Sequence, residues 1–367
     1  MKLLWLDLNS SYAHSSLALP ALHAQIADDT TIEWCIVSAT INENTGMVVS
    51  RIHKHRPDII AATNWLFNHE QLLHIISRAK ALLPHCCIVL GGPEFLGNNE
   101  AFLYKNKFVS GVFRGEGEEV FPQWLKVWNH SKETWKSITG LCYLDENGRY
   151  QDNGIARVMN FSQLVSPEKS RFFNWNKPFV QLETTRGCFN TCAFCVSGGE
   201  KPVRTISLEA IRERLNVIHQ HGIKNVRVLD RTFNYNNKRA KELLHLFREY
   251  APDICFHLEI HPALLSEELK EELAILPNGL LHLEAGIQSL REPVLEKSQR
   301  IGKLSDALQG LKYLCSLKNM ETHADLIAGL PLYHLSEIFE DVRTLAEYGA
   351  GEIQLESLKL LPGTEMR

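Results

Sequence analysis

No apolar run of about 18 residues, the least a helix needs to cross a bilayer, occurs in the 367-residue chain, so no membrane-spanning helix is expected. No secretory leader is expected from the first residues either: Met1-Lys2-Leu3-Leu4-Trp5-Leu6-Asp7 has one lysine and a short apolar run broken by Asp7, and reads as a first strand. There is no basic excess; 39 Lys and Arg against 43 Asp and Glu leave a net charge of -4, which gives nucleic acid no electrostatic footprint. No Gly-x-x-x-x-Gly-Lys-Ser/Thr is present, which excludes a phosphate-cradling P-loop. Cysteine is sparse and odd in number, nine in all, which excludes a disulfide scaffold.

Three of those cysteines nevertheless crowd into one segment. Cys188, Cys192 and Cys195 fall within Thr185-Arg186-Gly187-Cys188-Phe189-Asn190-Thr191-Cys192-Ala193-Phe194-Cys195, directly after an apolar, strand-like run. Structural zinc wants four closed ligands, usually as two pairs, and this triplet has no partner pair at usable spacing. Three close thiolates suit three irons of a cubane 4Fe-4S cluster, and with no fourth cysteine nearby one iron is left open to a substrate or cofactor. Reduced thiolate ligands suit the cytoplasm. The other six (Cys35, Cys86, Cys87, Cys142, Cys255, Cys315) lie mostly in apolar runs and read as core residues.

The spacing Cys-x-x-x-Cys-x-aromatic-Cys, with Phe194 as the aromatic, resembles the radical S-adenosylmethionine superfamily. The resemblance implies that the open iron chelates S-adenosylmethionine (SAM) and that an electron from the cluster splits its sulfonium. A 5'-deoxyadenosyl radical would result and abstract a hydrogen from an unactivated carbon.

At this length two domains are expected. Residues 1–130 alternate strand-like runs (3–8, 32–39, 58–63, 87–91, 108–114) with amphipathic stretches such as Leu72, Ile75, Ile76, Ala79 and Leu83, a doubly wound, flavodoxin-like pattern. Ligands in such sheets bind beyond the carboxyl ends of the strands, where this chain carries Ser11-Tyr12-Ala13-His14, Asn64-Trp65, Gly91-Gly92-Pro93-Glu94 and Arg114-Gly115-Glu116-Gly117-Glu118-Glu119. Taken singly, paired glycines can simply permit a turn, and acidic residues can simply favour a helix dipole. Taken together and in this order, they resemble the cobalamin-binding domain that precedes the barrel in one branch of the superfamily. That resemblance implies Tyr12, His14, Asn64, Trp65, Gly91, Gly92 and Glu116 as cobalamin-binding positions. The Asp-x-His-x-x-Gly of domains that supply an axial histidine is not matched: Tyr12 stands two before His14 and Leu17 three after, so His14 reads as a cobalt ligand or as an ordinary loop histidine.

Residues 131–178 read as a hairpin-containing linker, with Leu141-Cys142-Tyr143-Leu144 and Arg149-Tyr150-Gln151 around the turn pair Asn147-Gly148, and with Ser166-Pro167 and Lys177-Pro178 as breakers. From 179 to 367 six strand-like runs (179–184, 225–230, 254–260, 280–285, 322–327, 352–358) alternate with helices, one capped by Ser207 and stopped by Gly222. The pattern predicts a partial (β/α)6 TIM-like barrel with its site at the carboxyl ends of the strands. Charged residues at those ends are costly without a ligand or partner, although an internal ion pair such as Arg231 with Glu259 could account for any single one.

Asp230-Arg231-Thr232-Phe233-Asn234 resembles the Asp-x-x-Phe segment that in the cobalamin branch replaces the Gly-Gly-Glu holding the methionine amino group. The resemblance places Phe194, Asp230, Phe233, Glu259, Glu284 and Gln288 at SAM; Gly198-Gly199-Glu200 is out of position for that motif. The chain stops three residues after Leu361-Pro362-Gly363-Thr364, which in the family leads on into more protein, so the barrel half reads as truncated.

The expected activity is cobalamin-dependent radical SAM chemistry, methyl transfer to an unactivated carbon or a rearrangement, on a small-molecule or other substrate, with a reducing partner such as flavodoxin or ferredoxin and with neither membrane nor nucleic acid. The alternatives are a member that has lost cobalamin and a non-catalytic cobalamin or redox sensor. The sensor reading is weakened because a structural cluster would have all four irons ligated.

Overall fold

The structure, a computed structural model, describes residues 1–13 and 16–367; His14, a candidate cobalt ligand, lies outside them. The chain divides into two compact units, one built on Met1–Phe173 and the other on Asn174–Leu360.

The first unit is a seven-stranded sheet: β1 Lys2–Asn9, β2 Glu33–Thr40, β3 Ile59–Thr63, β4 Cys87–Gly91, β5 Gly111–Phe113, β6 Leu141–Leu144 and β7 Tyr150–Asp152, in the order β2-β1-β3-β4-β5-β6-β7. The first five strands run parallel. Parallel strands are covered on both faces, and the alternation of β1 shows how. Leu4, Leu6 and Leu8 join Val48, Ile52, Leu72, Ile75 and Ile76 in one core, whereas Leu3 and Trp5 join Val89, Phe113 and Trp124 in another. The order reverses between β1 and β3, the switch point at which doubly wound sheets open a crevice.

The hairpin expected in a linker is instead part of this sheet. β6 pairs antiparallel with β5, and β7 with β6. The reason is burial: Leu141, Cys142 and Tyr143 are all 0% exposed, and so apolar a strand cannot stand in solvent while β5 offers an unpaired edge. The unit runs on to Phe173, tied down where Ser170 Oγ meets His23 Nδ1 at 3.0 Å and Phe172 packs edge-on against the His23 ring.

The second unit holds β8 Val180–Leu182, a short antiparallel ribbon of β9 Thr185–Arg186 with β10 Arg204–Thr205, and then β11 Asn225–Val228, β12 Cys255–Ile260, β13 Leu281–Gln288, β14 Glu321–Ala328 and β15 Glu352–Ser357. β8 and β11 to β15 form one parallel sheet with each strand beside its predecessor, an open, TIM-like partial barrel with β8 and β15 as edges. The helix Leu208–Gln220 shows why a helix lies between strands: Ser207 accepts from Ala210 N at the amino end, and Ile211, Leu215 and Ile218 on one face are fully buried. Along β12, Phe256, Leu258 and Ile260 are buried while His257 and Glu259 take the other face. β13 repeats the pattern with His282 and Glu284. One face of the sheet is therefore polar. Among the described residues no helix is long and apolar enough to cross a membrane.

Candidate functional site

The cysteine loop begins at the carboxyl end of the first barrel strand and is closed at its base by the β9–β10 ribbon. Gly187, at φ +96°, starts the loop, and a Cβ there would stand 2.6 Å from Glu200 O, the acceptor of Cys188 N at 3.0 Å. Cys195 N donates to Cys192 O at 3.1 Å and Gly198 N to Cys195 O at 2.9 Å, so successive turns bring the thiols to one side. Asn190 ties the loop to the segment after the helix Glu292–Lys297: its Oδ1 accepts from Ile301 N at 3.0 Å, while Ala193 N donates to Ser298 O at 3.0 Å.

Cys188 and Cys192 are buried and Cys195 is partly open; all three are free thiols. Burial pushes the Cys188 and Cys192 thiols up, and each would be raised further by a neighbouring thiolate of the set. Three converging thiolates repel one another until a cation neutralises them, which is what an iron site supplies. The donor set fits a cluster with one open iron: three sulfurs and no fourth cysteine in the loop.

Arg300, which no sequence signal marked, sets Nη1 3.8 Å from Cys192 Sγ and bonds Gly286 O through Nη2. Its guanidinium opposes the effect of burial on Cys192. Phe194 leaves the cysteines and packs with Val294, Leu330, Tyr333 and Ile338. His261, beside Phe189, is held well below its ordinary value, at about 3, by burial and by Arg300, and is therefore a neutral ring facing Ile301 O at 3.0 Å.

Among the remaining positions expected at SAM, two are buried against partners within the protein. Asp230 is 1% exposed; its Oδ1 accepts from Thr184 N at 2.8 Å and Thr185 N at 2.9 Å, and its Oδ2 from Thr184 Oγ1. The carboxylate is spent on the backbone at the end of β8, stitching it to the end of β11. Phe233 is 3% exposed and packs on Phe247 in the core.

Glu259 and Glu284 are cross-strand partners on the polar face. Glu284 takes His257 Nε2 at 2.8 Å, and that bond holds its carboxyl low, whereas burial and the neighbouring Glu284 push Asp325 up. Burial likewise raises Glu259 to about 7 against the opposing Arg231. Gln288 sits at φ +73° where the β13–β14 register shifts, its amide folded over Gly286.

Glu259 carries a pH signature. Its folded value of about 7 exceeds the ordinary 4.5, so the unfolded chain ionises first and the fold loses stability as pH rises from 4.5 to 7. Above that window the loss is constant, about 3 kcal/mol at most. Thermal melts of the cofactor-free chain should therefore fall between about pH 5 and 8, and Glu259→Gln should flatten that fall. An equal fall in the variant would refute the assignment.

In the first unit the described cobalamin positions, Tyr12, Asn64, Trp65, Gly91, Gly92 and Glu116, lie at or just after the carboxyl ends of β1, β3, β4 and β5. Gly92, at φ +109°, lies so close that a Cβ would be 2.6 Å from Asn64 O and 2.8 Å from Thr63 Cγ2. A Cβ on Gly91 would meet only Phe113 Cβ, at 3.9 Å. Gly92→Ala is thus expected to destabilise the chain by about 3 kcal/mol and Gly91→Ala hardly at all; equal melting temperatures for the two would contradict this geometry.

Asn64 is fully buried, donates N–H to Gly91 O at 2.7 Å, and keeps Oδ1 without a partner among the described residues. Trp65 is half-buried and stacks with Phe67, whereas Tyr12 is 75% and Leu66 47% exposed at the same end. Glu116 Oε2 accepts from Val158 N at 2.7 Å and Glu116 N donates to Ala156 O, which straps residues 156–158 to the unit. Apolar surface and a partnerless amide oxygen at the same strand ends are what a large planar ligand with polar substituents takes.

Comparison with known proteins follows the same division. Residues 8–125 match the model of the B12 binding domain and residues 182–345 that of the radical SAM superfamily. An uncharacterized methyltransferase of Pyrococcus horikoshii is 26% identical over 326 residues, 86% of this chain and 70% of that protein. The cobalamin-dependent radical SAM methyltransferase TokK of Streptomyces tokunonensis is 20% identical over 84% of this chain, which spans 48% of TokK. Among solved structures, the radical S-adenosylmethionine methyltransferase TsrM from Kitasatospora setae, with cobalamin and a 4Fe-4S cluster bound, superposes with a TM-score of 0.78 at 17% identity, covering 100% of this chain and 73% of that one.

Proposed function

Since the chain belongs to the radical SAM superfamily, in the branch with a B12 binding domain ahead of the radical SAM domain, we propose that it is a cobalamin-dependent enzyme transferring a methyl group to, or rearranging, an unactivated carbon of a small molecule. The observation that carries the reading is the loop of three converging, buried or half-buried thiols with no fourth cysteine beside them.

When bound, the 4Fe-4S cluster, SAM and cobalamin supply electron transfer, radical formation and methyl carriage. The chain's residues supply position and exclusion of water. Cys188, Cys192 and Cys195 would hold three irons, Arg300 faces the Cys192 sulfur, and Glu259, Glu284 and Gln288 present polar atoms on the barrel face. Glu284, its carboxyl held low by His257, is an acceptor for a hydroxyl or ammonium, beside Asp325, whose carboxyl burial pushes up. Tyr12, Trp65 and Leu66 offer apolar surface and Asn64 a carbonyl to a corrin ring. His14 stays a candidate axial ligand, Gly91 and Gly92 keep the adjoining loop close, and Glu116 secures the strap. A reducing partner such as flavodoxin or ferredoxin delivers the electron, which suits a cytoplasmic setting.

The test is oxygen-free purification and reconstitution. About four irons and one cobalamin per chain, with consumption of SAM under a strong reductant, are expected. Full iron loading and SAM consumption with no cobalamin retained would select the alternative that has lost that cofactor; no SAM consumption at full iron loading would overturn the enzyme reading.

A further inference from the structure

The polar face of the second unit does not end at the carboxylates beside the cysteine loop. Toward the amino ends of the strands, at the β15 edge, His282 of β13, His323 of β14 and Glu352 of β15 each bring a ligand atom within 4.8 Å of the others. We infer that these three residues bind a divalent metal ion of the zinc type, separate from the cysteine loop. This inference does not rest on the proposed function.

Register makes the cluster. His323 is the cross-strand partner of both Glu284 and Glu352, and His282 pairs with Glu321 one layer nearer the amino ends. Side chains two apart on a strand share a face, so adjacent strands stack His282, His323 and Glu352 on one side of the sheet.

Hydrogen bonding within the protein does not account for the arrangement. His323 Nδ1 stands 3.9 Å from Glu352 Oε2, and His282 Nδ1 3.8 Å from Glu321 Oε2, both beyond a hydrogen bond. His282 Nε2 is buried with no hydrogen-bond partner among the described residues, although leaving a buried ring nitrogen unmet is costly. The His323 side chain is 7% exposed and its Nε2 faces Asp325 Oδ1 at 2.9 Å. Neither atom has a hydrogen-bond partner among the described residues, so the His323 ring, like that of His282, has a buried nitrogen left unmet.

Chemistry and charge fit a cation. Two imidazoles and one carboxylate form a donor set zinc accepts, with water in the fourth position. Tetrahedral zinc with bonds of about 2.0–2.1 Å needs donors about 3.3 Å apart, so side-chain rotations closing the group by up to about 1.5 Å suffice. Glu321 and Glu352 add negative charge, and neither is ion-paired to a lysine or arginine among the described residues. Because β15 is the sheet edge, a metal here would fasten the last strand to its two neighbours at the end opposite the cysteine loop.

The experiment uses the full chain with Cys188, Cys192 and Cys195 all changed to alanine, so that no zinc can occupy the thiolate loop. Zinc titrated against a chromophoric chelator should fill one site per chain. Glu352→Gln, at an exposed edge position that leaves the fold intact, and His282→Gln should each weaken that site at least about tenfold. In the cluster-loaded parent, elemental analysis should read about one zinc per chain beside the iron. Absence of a stoichiometric site, or unchanged affinity in either variant, would overturn the inference.

Discussion

Cys192→Ala is expected to lower SAM consumption at least about a thousandfold, equivalent to about 4 kcal/mol of lost transition-state stabilisation, and to strip most of the iron. The loop offers three sulfurs and no substitute, so one deletion leaves two donors for a cluster that needs three. Cys192 lies between its two partners, and Arg300 is aimed at its sulfur. Far-ultraviolet circular dichroism should be unchanged, because the Asn190, Ser298 and Glu200 backbone contacts that shape the loop do not use the thiol. Undiminished consumption, measured anaerobically by release of 5'-deoxyadenosine and loss of SAM, would remove the loop from the chemistry.

The second large effect falls on stability. Asp230→Ala strands the N–H groups of Thr184 and Thr185, together with the Thr184 hydroxyl, in a fully buried position. Unsatisfied buried groups cost roughly 1–3 kcal/mol each, so a loss of about 4 kcal/mol is expected. Asp230→Asn keeps an oxygen for both N–H groups and an amide that can donate to the hydroxyl, and should recover most of that stability. The pair separates two roles: if Asp230 serves only the backbone, the asparagine variant binds SAM as the parent does. A tenfold or greater loss of SAM affinity in a stable Asp230→Asn chain would restore the carboxylate to the cofactor.

The strands were readable because their signal is local. All six apolar runs of the barrel half and all five of residues 1–130 became strands, since alternation or continuous apolarity over a few residues already states how many faces are buried. The cysteine spacing was readable for the same reason: its ligands lie within one loop. The hairpin misled because an Asn-Gly turn between apolar runs looks alike whether the ribbon stands alone or extends a sheet. What decided it was the open edge of β5, some thirty residues earlier.

Asp230 and Phe233 were assigned by resemblance, but the partners that claim Asp230, Thr184 and Thr185, lie at the end of a different strand. Arg300 and the group of His282, His323 and Glu352 were illegible for a related reason. Each belongs to a separate element, and only register or loop docking brings it to its neighbours.

The central claim is that one iron of the cluster is left for an outside ligand. Electron paramagnetic resonance of the reduced, reconstituted chain, with and without SAM carrying a nitrogen-15 amino group, tests it directly. The signal should shift on addition of SAM and show coupling to that nitrogen; an unshifted, uncoupled spectrum from a fully loaded cluster would contradict the account.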